Sequence, residues 1–480
     1  MVQPIPPSSI QQAFQAALAH YQAGRVPQAF AIFQQILEAE PGHADALHFL
    51  GIIALQSGDK IAAAELIGKA IRVKPTSLMH YNLGLAFRAQ GKLDEAIASY
   101  RRAIALQPGY AEAHFNLGNA LQKQGKLDEA IASYRKALAL KPDGVDAHNN
   151  LGSALQEQGK LGDAATCFRR AIALKPGFAN AHNNLGIALQ KQGKPEDAAA
   201  SYRRALALKP DYADAHKNLG SVFQDQGRMD QAMECYRKAN ELDPRNESVA
   251  HLIAALEDKT TERAPSQYIE KLFDGYANTF DTHLVQGLGY KMPTELLDLL
   301  KRSTELPVGK WDVLDLGCGT GLAGSVISPH ARQLVGVDLS SSMLEKARTR
   351  NVYHRLAHSD LLPMMRGEES SSYDLILAAD VFVYLGKLDE IVSEAARLLR
   401  AEGYCMFSVE ALDALPGGAS SPESVPGYKL NPSGRYAHAA NYLDKLAAAN
   451  GFRSLGMIST PVRLEKGVPI PAWAAVWQKY

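Results

Sequence analysis

The sequence is poor in the residues that mark several common classes of protein. Its four cysteines, Cys167, Cys235, Cys318 and Cys405, lie far apart and form neither a CxxC pair nor a metal-ligand spacing. We therefore expect no disulfide framework and no bound metal, which suits a reducing compartment. Residues 1–9 are rich in proline and lack the basic and apolar segments of a signal peptide, so we expect a cytoplasmic protein.

An excess of positive charge is missing as well. Lysine and arginine together number 51, as do aspartate and glutamate. Residues 1–260 contain 29 basic and 26 acidic side chains, and residues 261–480 contain 22 and 25. Neither part has the basic excess of a nucleic-acid-binding domain. No apolar run reaches the roughly 18 residues of a membrane span, so we expect neither nucleic acid nor membrane as a partner.

A repeat of 34 residues fills about the first half of the chain. The dipeptide Leu-Gly recurs in steps of 33 or 34 residues, at Leu50-Gly51, Leu83-Gly84, Leu117-Gly118, Leu151-Gly152, Leu185-Gly186 and Leu219-Gly220. A proline closes each unit, because it cannot supply the N–H that would continue a helix. This pattern resembles the tetratricopeptide repeat family, whose unit is a helix–turn–helix. The resemblance implies an α-solenoid with a concave groove over residues 10–246.

Seven units fit the pattern. The first is divergent and has Ala17 in place of the glycine. Their predicted bounds are 10–43, 44–76, 77–110, 111–144, 145–178, 179–212 and 213–246.

Two polar ladders follow the repeats. One consists of histidines at the fourth position of a unit: His80, His114, His148, His182 and His216. Helices pack about 8–10 Å apart, so these side chains cannot share one metal ion, and we expect them to be structural. The other consists of asparagines at the sixth position: Asn82, Asn116, Asn150, Asn184 and Asn218.

The asparagines have two interpretations. An amide offers a donor and an acceptor, which matches a peptide backbone. Asparagine at this position also resembles the ladder in the repeat domain of O-linked N-acetylglucosamine transferases, which holds extended protein substrates. The alternative is a consensus residue that bonds within the repeats. The first interpretation predicts a protein or extended peptide as the partner of the groove.

A connecting region follows the repeats. Residues 248–257 read as an amphipathic helix that caps the array, and the polar residues 258–267 read as a linker, so that 247–267 separates the two parts. An aromatic helical segment follows at 268–300. Tyr268, Tyr276, Phe280 and His283 on this segment are candidates to line a site. The alternative is that these rings pack in the core.

Strands and helices alternate over residues 311–480, which predicts a parallel doubly wound sheet. We expect strands at 311–316, 333–337, 352–357, 373–379 and 403–409. Helices are expected at 321–328, 341–350, 388–399 and 437–450. The segments 452–460 and 472–478 should close the sheet as an antiparallel pair.

A glycine-rich turn follows the first of these strands, in the sequence LDLGCGTG. Read as Gly319-x-Gly321-x-x-Gly324, it matches a dinucleotide fingerprint, but an acid should then follow about 20 residues later and Asp338 comes after only 14. Read as Asp315-x-Gly317-x-Gly319-x-Gly321, each position has a use. The acid can face a cationic group, and Asp338 can accept two ribose hydroxyls.

The second reading resembles class I S-adenosylmethionine-dependent methyltransferases. The resemblance implies a Rossmann-like domain of seven strands, with the last strand antiparallel, and S-adenosylmethionine as the cofactor. The cofactor-binding residues that it implies are Asp315, Gly317, Gly319, Gly321, Asp338, Leu339, Asp360, Leu361, Asp380 and Tyr276. The whole chain, with YIEKLFDGYANTFDTHLV, LDLGCGTG, AADVFVYLG and SGRYAHAANYL, resembles bacterial methyltransferases that carry tetratricopeptide repeats, a family without a secure substrate.

Four residues are candidates for the methyl-transfer chemistry. Asp380 and Tyr384 follow the fourth strand, where cofactor or acceptor contacts belong. Arg435 can bind an acceptor carboxylate and His438 can act as a base, beside a loop at 415–434 that is rich in Gly, Pro and Ser. The leading hypothesis is a methyltransferase whose groove recruits a protein. The alternatives are a small-molecule O- or C-methyltransferase with repeats used only for assembly, and a scaffold without activity.

Overall fold

The computed structural model describes residues 9–277, 280–282, 284, 289–412, 427–465 and 468–480. The chain divides into two compact units, Met1–Pro210 and Asp211–Tyr480. The described part of the first unit is entirely helical, and the second unit contains one more helix pair and a mixed sheet. The predicted combination of a helical repeat array with a Rossmann-like domain is confirmed, and the exact domain boundaries stay a prediction.

Seven helix pairs are present in the described residues. In each pair, a first helix of 13 residues and a second of 14 are separated by three residues. The middle residue of that turn is a left-handed glycine, such as Gly125 with φ +75°. The helices are α1 Ile10–Gln22, α2 Val26–Ala39, α3 Ala44–Gln56, α4 Lys60–Val73, α5 Ser77–Ala89, α6 Leu93–Leu106, α7 Ala111–Lys123, α8 Leu127–Leu140, α9 Val145–Glu157, α10 Leu161–Leu174, α11 Ala179–Lys191, α12 Pro195–Leu208, α13 Ala213–Asp225 and α14 Met229–Leu242.

The glycine of each Leu-Gly dipeptide makes room for a large side chain of the second helix. A Cβ atom on Gly118 would lie 2.7 Å from the ring of Tyr134, and one on Gly186 would lie 2.5 Å from that of Tyr202. Both rings are fully buried. The 34-residue recurrence of glycine therefore reflects close helix packing, in which an aromatic ring lies directly on the backbone of the preceding helix.

Three further helices precede the sheet: α15 Glu247–Leu256, α16 Ser266–Asp274 and α17 Met292–Lys301. The stretch between α15 and α16, predicted as a linker, packs on the sheet domain through its backbone. Ala264 N donates to Tyr384 O at 2.9 Å, and Gly386 N and Lys387 N both donate to Glu262 O, at 2.8 and 2.9 Å. This stretch is therefore part of the fold of the second unit.

The sheet contains nine strands in the described residues: β1 Trp311–Leu316, β2 Ala331–Asp338, β3 Arg355–His358, β4 Tyr373–Ala378, β5 Leu399–Ala411, β6 Tyr428–Leu430, β7 Tyr436–His438, β8 Phe452–Glu465 and β9 Val468–Lys479. The first five are parallel in the order β3-β2-β1-β4-β5. β9 pairs antiparallel with β5, and β8 with β9. These seven strands match the predicted sheet and its antiparallel end.

The short strands β6 and β7 form a hairpin, and β7 also pairs with the end of β5. The predicted helix at 437–450 is therefore wrong at its start, because Ala437 and His438 belong to β7. The helix itself is α22, Ala440–Ala449. The other helices around the sheet are α18 Leu322–Ile327, α19 Ser341–Thr349, α20 Leu361–Gly367 and α21 Asp389–Leu398, with 3-10 turns at Ser328–His330 and Phe382–Tyr384.

Two apolar cores cover the two faces of the sheet. One unites the sheet with α20, α21 and α22, and the other unites it with α17 and α18. Alternate residues of β1 point to opposite faces: Leu314 and Leu316 lie in the first core, and Val313 in the second. Every helix in the described part of the chain is too short or too polar to cross a membrane.

Gly118→Ala should destabilise the repeat array. Overpacking of a filled core costs about 1–3 kcal/mol, which exceeds the roughly 1 kcal/mol that alanine gains over glycine in a helix. Urea unfolding followed by far-ultraviolet circular dichroism would measure the loss. Gly109→Ala is the control, because a Cβ there meets no atom within 4 Å. Equal stability of the two variants would contradict the packing argument.

Candidate functional site

Four acidic residues lie at one edge of the sheet, on four neighbouring strands. Asp315 lies in β1 and Asp338 ends β2, whereas Asp360 and Asp380 each come two residues after β3 and β4. Because these strands are parallel and adjacent, their carboxyl ends meet at this edge. The structure therefore brings the predicted acids into one row, which is the position of ligand sites in open α/β sheets.

The glycine-rich turn lies in the middle of this row. Gly317, Gly319 and Gly321 have φ values of +62°, +54° and +86°, which side chains other than glycine rarely adopt. Gly319 N donates to Asp338 Oδ2 at 2.8 Å. A Cβ atom on Gly319 would meet nothing within 4 Å, whereas one on Gly317 would lie 2.5 Å from Val381. The turn is thus packed at Gly317 and open at Gly319, where a ligand can approach the backbone.

Asp315 is the most enclosed acid of the row, with an exposed fraction of 1%. Burial, opposed by the hydrogen bond from Tyr353 and aided by the nearby negative charge of Asp338, raises the pKa of Asp315 to about 7. Tyr353 Oη donates to Asp315 Oδ2 at 2.6 Å. Among the described residues, no lysine or arginine forms an ion pair with Asp315. A buried carboxyl of this kind suits a ligand that brings its own positive charge.

Tyr353 is a site residue that the sequence reasoning missed. Its side chain lies against three glycines. A Cβ atom added to Gly321, Gly324 or Gly336 would lie 3.0, 2.2 or 2.8 Å, respectively, from the nearest atom of Tyr353. Gly324 completes the dinucleotide-like spacing, yet the structure uses it to admit a tyrosine. The available signal in the sequence was the pair of glycines at 324 and 336, which indicates that a large side chain packs closely against the backbone there.

The acid after β3 is bound by protein groups. Asp360 accepts a hydrogen bond from Ser266 Oγ at 2.8 Å and forms an ion pair with Arg263, and its other oxygen accepts from Leu361 N at 2.7 Å. Leu361 lies in the sheet core, and Leu339 O accepts from His358 Nε2 at 2.9 Å. Asp338 also accepts from Ser340 N at 2.8 Å.

The predicted aromatic segment contacts this edge of the sheet mainly through two aspartates. Asp274 accepts from Ser340 Oγ at 2.5 Å, beside Asp338. Asp281 forms an ion pair with Arg350 at 2.5 Å and accepts from Thr320 Oγ1 within the glycine turn. Nothing in the sequence singled out these acids.

The predicted rings of this segment have separate places. Tyr276 and Phe280 contact each other at 5.3 Å between ring centroids, and Phe280 also packs on the sheet core. Tyr268 lies in a small apolar cluster with Val383 and Tyr436. His283, and residues 415–426 of the predicted loop, lie outside the described residues.

Asp380 lies in a buried charge cluster. Its backbone has φ +58°, which is strained for a residue with a side chain. Arg463, on β8, has 4% of its surface exposed and forms ion pairs with Asp380, at 3.4 Å, and with Glu410. Burial raises the pKa of Asp380, and Arg463 opposes that rise. Arg463 and Glu410 are further site residues that the sequence reasoning missed.

Arg435 and Tyr384 meet beside this cluster. Arg435 Nε donates to Tyr384 Oη at 3.4 Å, and Tyr384 is 6% exposed. The positive charge of Arg435 also lowers the pKa of Asp380. The structure therefore brings together three of the four residues predicted for the chemistry.

His438, the fourth, is fully enclosed. Its Nε2 atom lies 2.9 Å from Gly386 O, and burial lowers its pKa to about 4. This contact holds the backbone after β4. The role of His438 as a base stays a prediction.

The asparagine ladder connects neighbouring repeats. Asn184 Nδ2 donates to Asn149 Oδ1 at 3.1 Å, Asn149 Nδ2 to Asn150 Oδ1 at 3.2 Å, and Asn150 Nδ2 to Asn119 Oδ1 at 2.9 Å. Asn116 is buried and donates to Tyr81 Oη at 3.0 Å. Asn116 also donates to Glu112 O at 3.0 Å and accepts from Arg88 Nη1 at 2.7 Å, so these amides support the array.

The remaining ladder positions vary. Asn82 Nδ2 lies 2.9 Å from His48 Nε2, and Asn218 is half-buried. The histidine ladder is structural where its contacts are seen, since Nε2 of His114, His148 and His182 lies 3.0–3.1 Å from a proline carbonyl oxygen. In the described residues, no group of three or more His, Cys, Asp or Glu side chains can hold a metal ion.

A polar cavity of about 810 Å³ opens on the first helices of the third, fourth and fifth pairs. Its lining includes the basic side chains of Arg88 and Lys123, the acid Glu157 and the amides of Asn119 and Asn150. Its chemistry suits a polar or charged chain segment more than an apolar ligand.

Family comparisons agree with the two parts of the fold. A TPR repeat family matches residues 84–125, 118–159 and 154–193, and a tetratricopeptide repeat family matches residues 14–77 and 183–247. A methyltransferase domain family matches residues 314–405. These matches cover the repeats and the glycine turn with β1 to β4.

Individual relatives are distant. A malonyl-[acyl-carrier protein] O-methyltransferase from Methylovorus sp. is 30% identical over 161 residues, which is 31% of this chain and 51% of the relative. A probable S-adenosylmethionine-dependent methyltransferase, CRG1, from Saccharomyces cerevisiae is 29% identical over 100 residues, 20% of this chain and 34% of the relative. The chain therefore spans about half or less of the length of these proteins.

Solved structures resemble the repeats. YrrB, described as a TPR protein with an unusual peptide-binding site, is 25% identical, with a TM-score of 0.35, and the match covers 39% of this chain and 98% of that one.

Cofactor affinity should depend on ionisation of Asp315. With a folded pKa of about 7, this carboxyl loses its charge as the pH falls through 7, so a cationic ligand should bind about tenfold more weakly at pH 6 than at pH 8. Calorimetry with S-adenosylmethionine, whose sulfonium is positively charged, would measure this, with Asp315→Asn to subtract the titration of the ligand.

Tyr353→Phe removes a hydrogen bond that lowers the pKa of Asp315, so the midpoint should move to higher pH. Tyr373→Phe, which removes a similar bond to Glu368, is the control. Equal pH profiles for the wild type and Asp315→Asn would contradict the assignment of the charge to Asp315.

Proposed function

Because the chain carries an N-terminal array of tetratricopeptide repeats and a C-terminal class I methyltransferase domain, we propose that it is an S-adenosylmethionine-dependent methyltransferase whose groove recruits a protein partner. The observation that carries the cofactor assignment is the open glycine turn between Asp315 and Asp338. The position of Arg435 beside Tyr384 and Asp380 is the observation behind the methyl acceptor that we propose below, a carboxylate.

The residues at the sheet edge fit this cofactor. Asp315 supplies a buried negative charge for the cationic methionine part. Asp338 has two carboxylate oxygens, each with one backbone N–H bonded and with capacity left for a ribose hydroxyl. The open backbone at Gly319 leaves room for the chain that joins these two parts of the cofactor.

When bound, S-adenosylmethionine supplies an electrophilic methyl group on a positively charged sulfur. The protein then has to align the acceptor and exclude water. Arg263, Asp274 and Asp281 fasten the segment before β1 to Asp360, Ser340 and the glycine turn. This segment therefore covers the edge where the reaction takes place.

A carboxylate is the acceptor class that the site favours. The guanidinium of Arg435, which also donates to Tyr384, offers a positively charged donor of the kind that binds carboxylates. A carboxylate is already ionised at neutral pH, so its oxygen can attack without a general base, which agrees with the enclosed position of His438. Similarity to malonyl-[acyl-carrier protein] O-methyltransferases supports the same class. The alternative, a small-molecule O- or C-methyltransferase, would use the repeats only for assembly.

The groove is the proposed site of recruitment. The cavity at the third to fifth pairs presents Lys123, Arg88 and amide groups on one lining. An amide can bind a peptide backbone both as donor and as acceptor, and the amides of Asn150 and Asn184 also make bonds between repeats. Direct binding by Asn82, Asn116, Asn150, Asn184 and Asn218 therefore remains part of the proposal.

Methylation of a recruited protein should need both the cofactor site and the groove. A lysate incubated with the full-length protein and methyl-labelled S-adenosylmethionine should show a labelled protein that is lost with Asp338→Ala. The same label should fall at least about fivefold with Lys123→Glu, because charge reversal in the cavity disrupts charge complementarity with the partner.

Lys126→Glu is the matched control, because this lysine lies outside the cavity lining. Label that survives Asp338→Ala would contradict the enzyme assignment. Label that is equal in Lys123→Glu and Lys126→Glu would contradict recruitment by the groove.

Arg435→Gln should impair transfer to a carboxylate. With malonyl-carrier protein as the acceptor, loss of a charged hydrogen-bond donor should reduce turnover about 10- to 100-fold and leave S-adenosylhomocysteine affinity unchanged. Arg453→Gln, on the same domain, is the control, because Arg453 bonds Gln478 and not the site. Absence of methyl transfer by a wild-type protein that binds the cofactor would contradict this acceptor class.

A further inference from the structure

Arg435 lies at the end of a five-residue turn. The turn joins β6, Tyr428–Leu430, to β7, Tyr436–His438. It is closed by Asn431 N donating to Arg435 O at 2.8 Å and by Gly434 N donating to Asn431 O at 2.9 Å. These bonds leave the carbonyl groups of Pro432 and Gly434 to be satisfied from outside the turn.

The seventh helix pair and the helix after it supply both partners. Gln224, on α13, donates from Nε2 to Pro432 O at 2.6 Å. His251, on α15, is 4% exposed, and its Nε2 lies 3.0 Å from Gly434 O. Tyr268 closes the same corner, since a Cβ atom on Gly434 would lie 2.8 Å from Tyr268 Oη.

The base of the hairpin is held by the stretch between α15 and α16. Leu430 N donates to Thr260 Oγ1 at 3.2 Å, and Thr261 Oγ1 lies 2.5 Å from Tyr436 Oη. On its other side the turn contacts the charge cluster, where Asn431 Nδ2 donates to Glu410 Oε2 at 3.3 Å. The turn is therefore fixed between the repeats' end and the acceptor side.

Gln224 makes a contact that its repeat position does not by itself require. Tyr236 Oη donates to Gln224 Oε1 at 2.6 Å, as Tyr202 Oη donates to the equivalent Gln190 at 3.0 Å. The shared bond with tyrosine belongs to the repeat, whereas the bond to Pro432 belongs to the sheet domain. The same side chain thus connects the two.

We infer that Gln224 and His251 are positioning residues of the methyl-acceptor site, which hold Arg435 through the turn 431–435. The last repeat and its following helix are then a wall of the site and not a detachable tether. The inference rests on the proposed function only for what Arg435 binds. The clamp on the turn is independent of it.

Two measurements on the full-length protein test this inference. The first is hydrogen–deuterium exchange of the hairpin 428–438 in the double variant Gln224→Ala, His251→Ala. We expect at least about tenfold faster exchange there, with no change in the glycine turn. The double variant Gln190→Ala, His182→Ala is the matched control, because it removes a similar tyrosine bond and a similar histidine–carbonyl contact elsewhere. Equal hairpin exchange in both double variants would overturn the inference.

The second measurement is calorimetric binding of malonate in the presence of saturating S-adenosylhomocysteine. The double variant should bind malonate at least about tenfold more weakly, with unchanged affinity for S-adenosylhomocysteine. The single variant His251→Gln keeps Gln224 and also keeps a donor for Gly434 O. It should therefore bind malonate as the wild type does. Unchanged malonate affinity in the double variant would overturn the positioning role.

A failure of the proposed function can be distinguished from a failure of the positioning role. A wild-type protein that binds neither S-adenosylhomocysteine nor malonate removes the function, whereas the exchange measurement still confirms or overturns the clamp.

Discussion

A carboxyl group buried at the end of a parallel strand has to be compensated, and the candidate site at this edge of the sheet is built around that requirement. Asp315 is held by Tyr353, which in turn needs three glycines to reach it. The open turn at Gly319 and the bonded Asp338 follow from the same arrangement. Burial keeps Asp315 ready for a positive charge, because an ionised carboxylate without a partner is costly in a dry interior.

On the proposed acceptor side, buried carboxylates are compensated by arginines. Arg463 forms ion pairs with both Asp380 and Glu410, and Arg435 lies near them at the end of a hairpin turn. That turn has two outward carbonyl groups, which the seventh helix pair and α15 satisfy. The seventh helix pair and α15 are thus hydrogen-bonded to the turn that carries Arg435.

Much of the architecture could be predicted because it follows local rules. The Leu-Gly recurrence, the closing prolines and the strand–helix alternation each reflect backbone sterics or hydrophobic periodicity over a few residues. The acids at the strand ends were predictable for the same reason, since parallel strands bring their carboxyl ends together. Tyr353, Arg463 and Glu410 were not, because each acts on residues that are distant in the chain.

The sequence by itself determined the helix pairs, the strands around the glycine turn and the row of acids, since spacing and strand polarity are encoded locally. Only the tertiary structure decided what those residues do. It enclosed His438 against Gly386, bonded the ladder asparagines to one another, and turned the expected linker into part of the domain. The physical reason is that burial and hydrogen-bond partners are set by contacts across long stretches of chain, which no local pattern records.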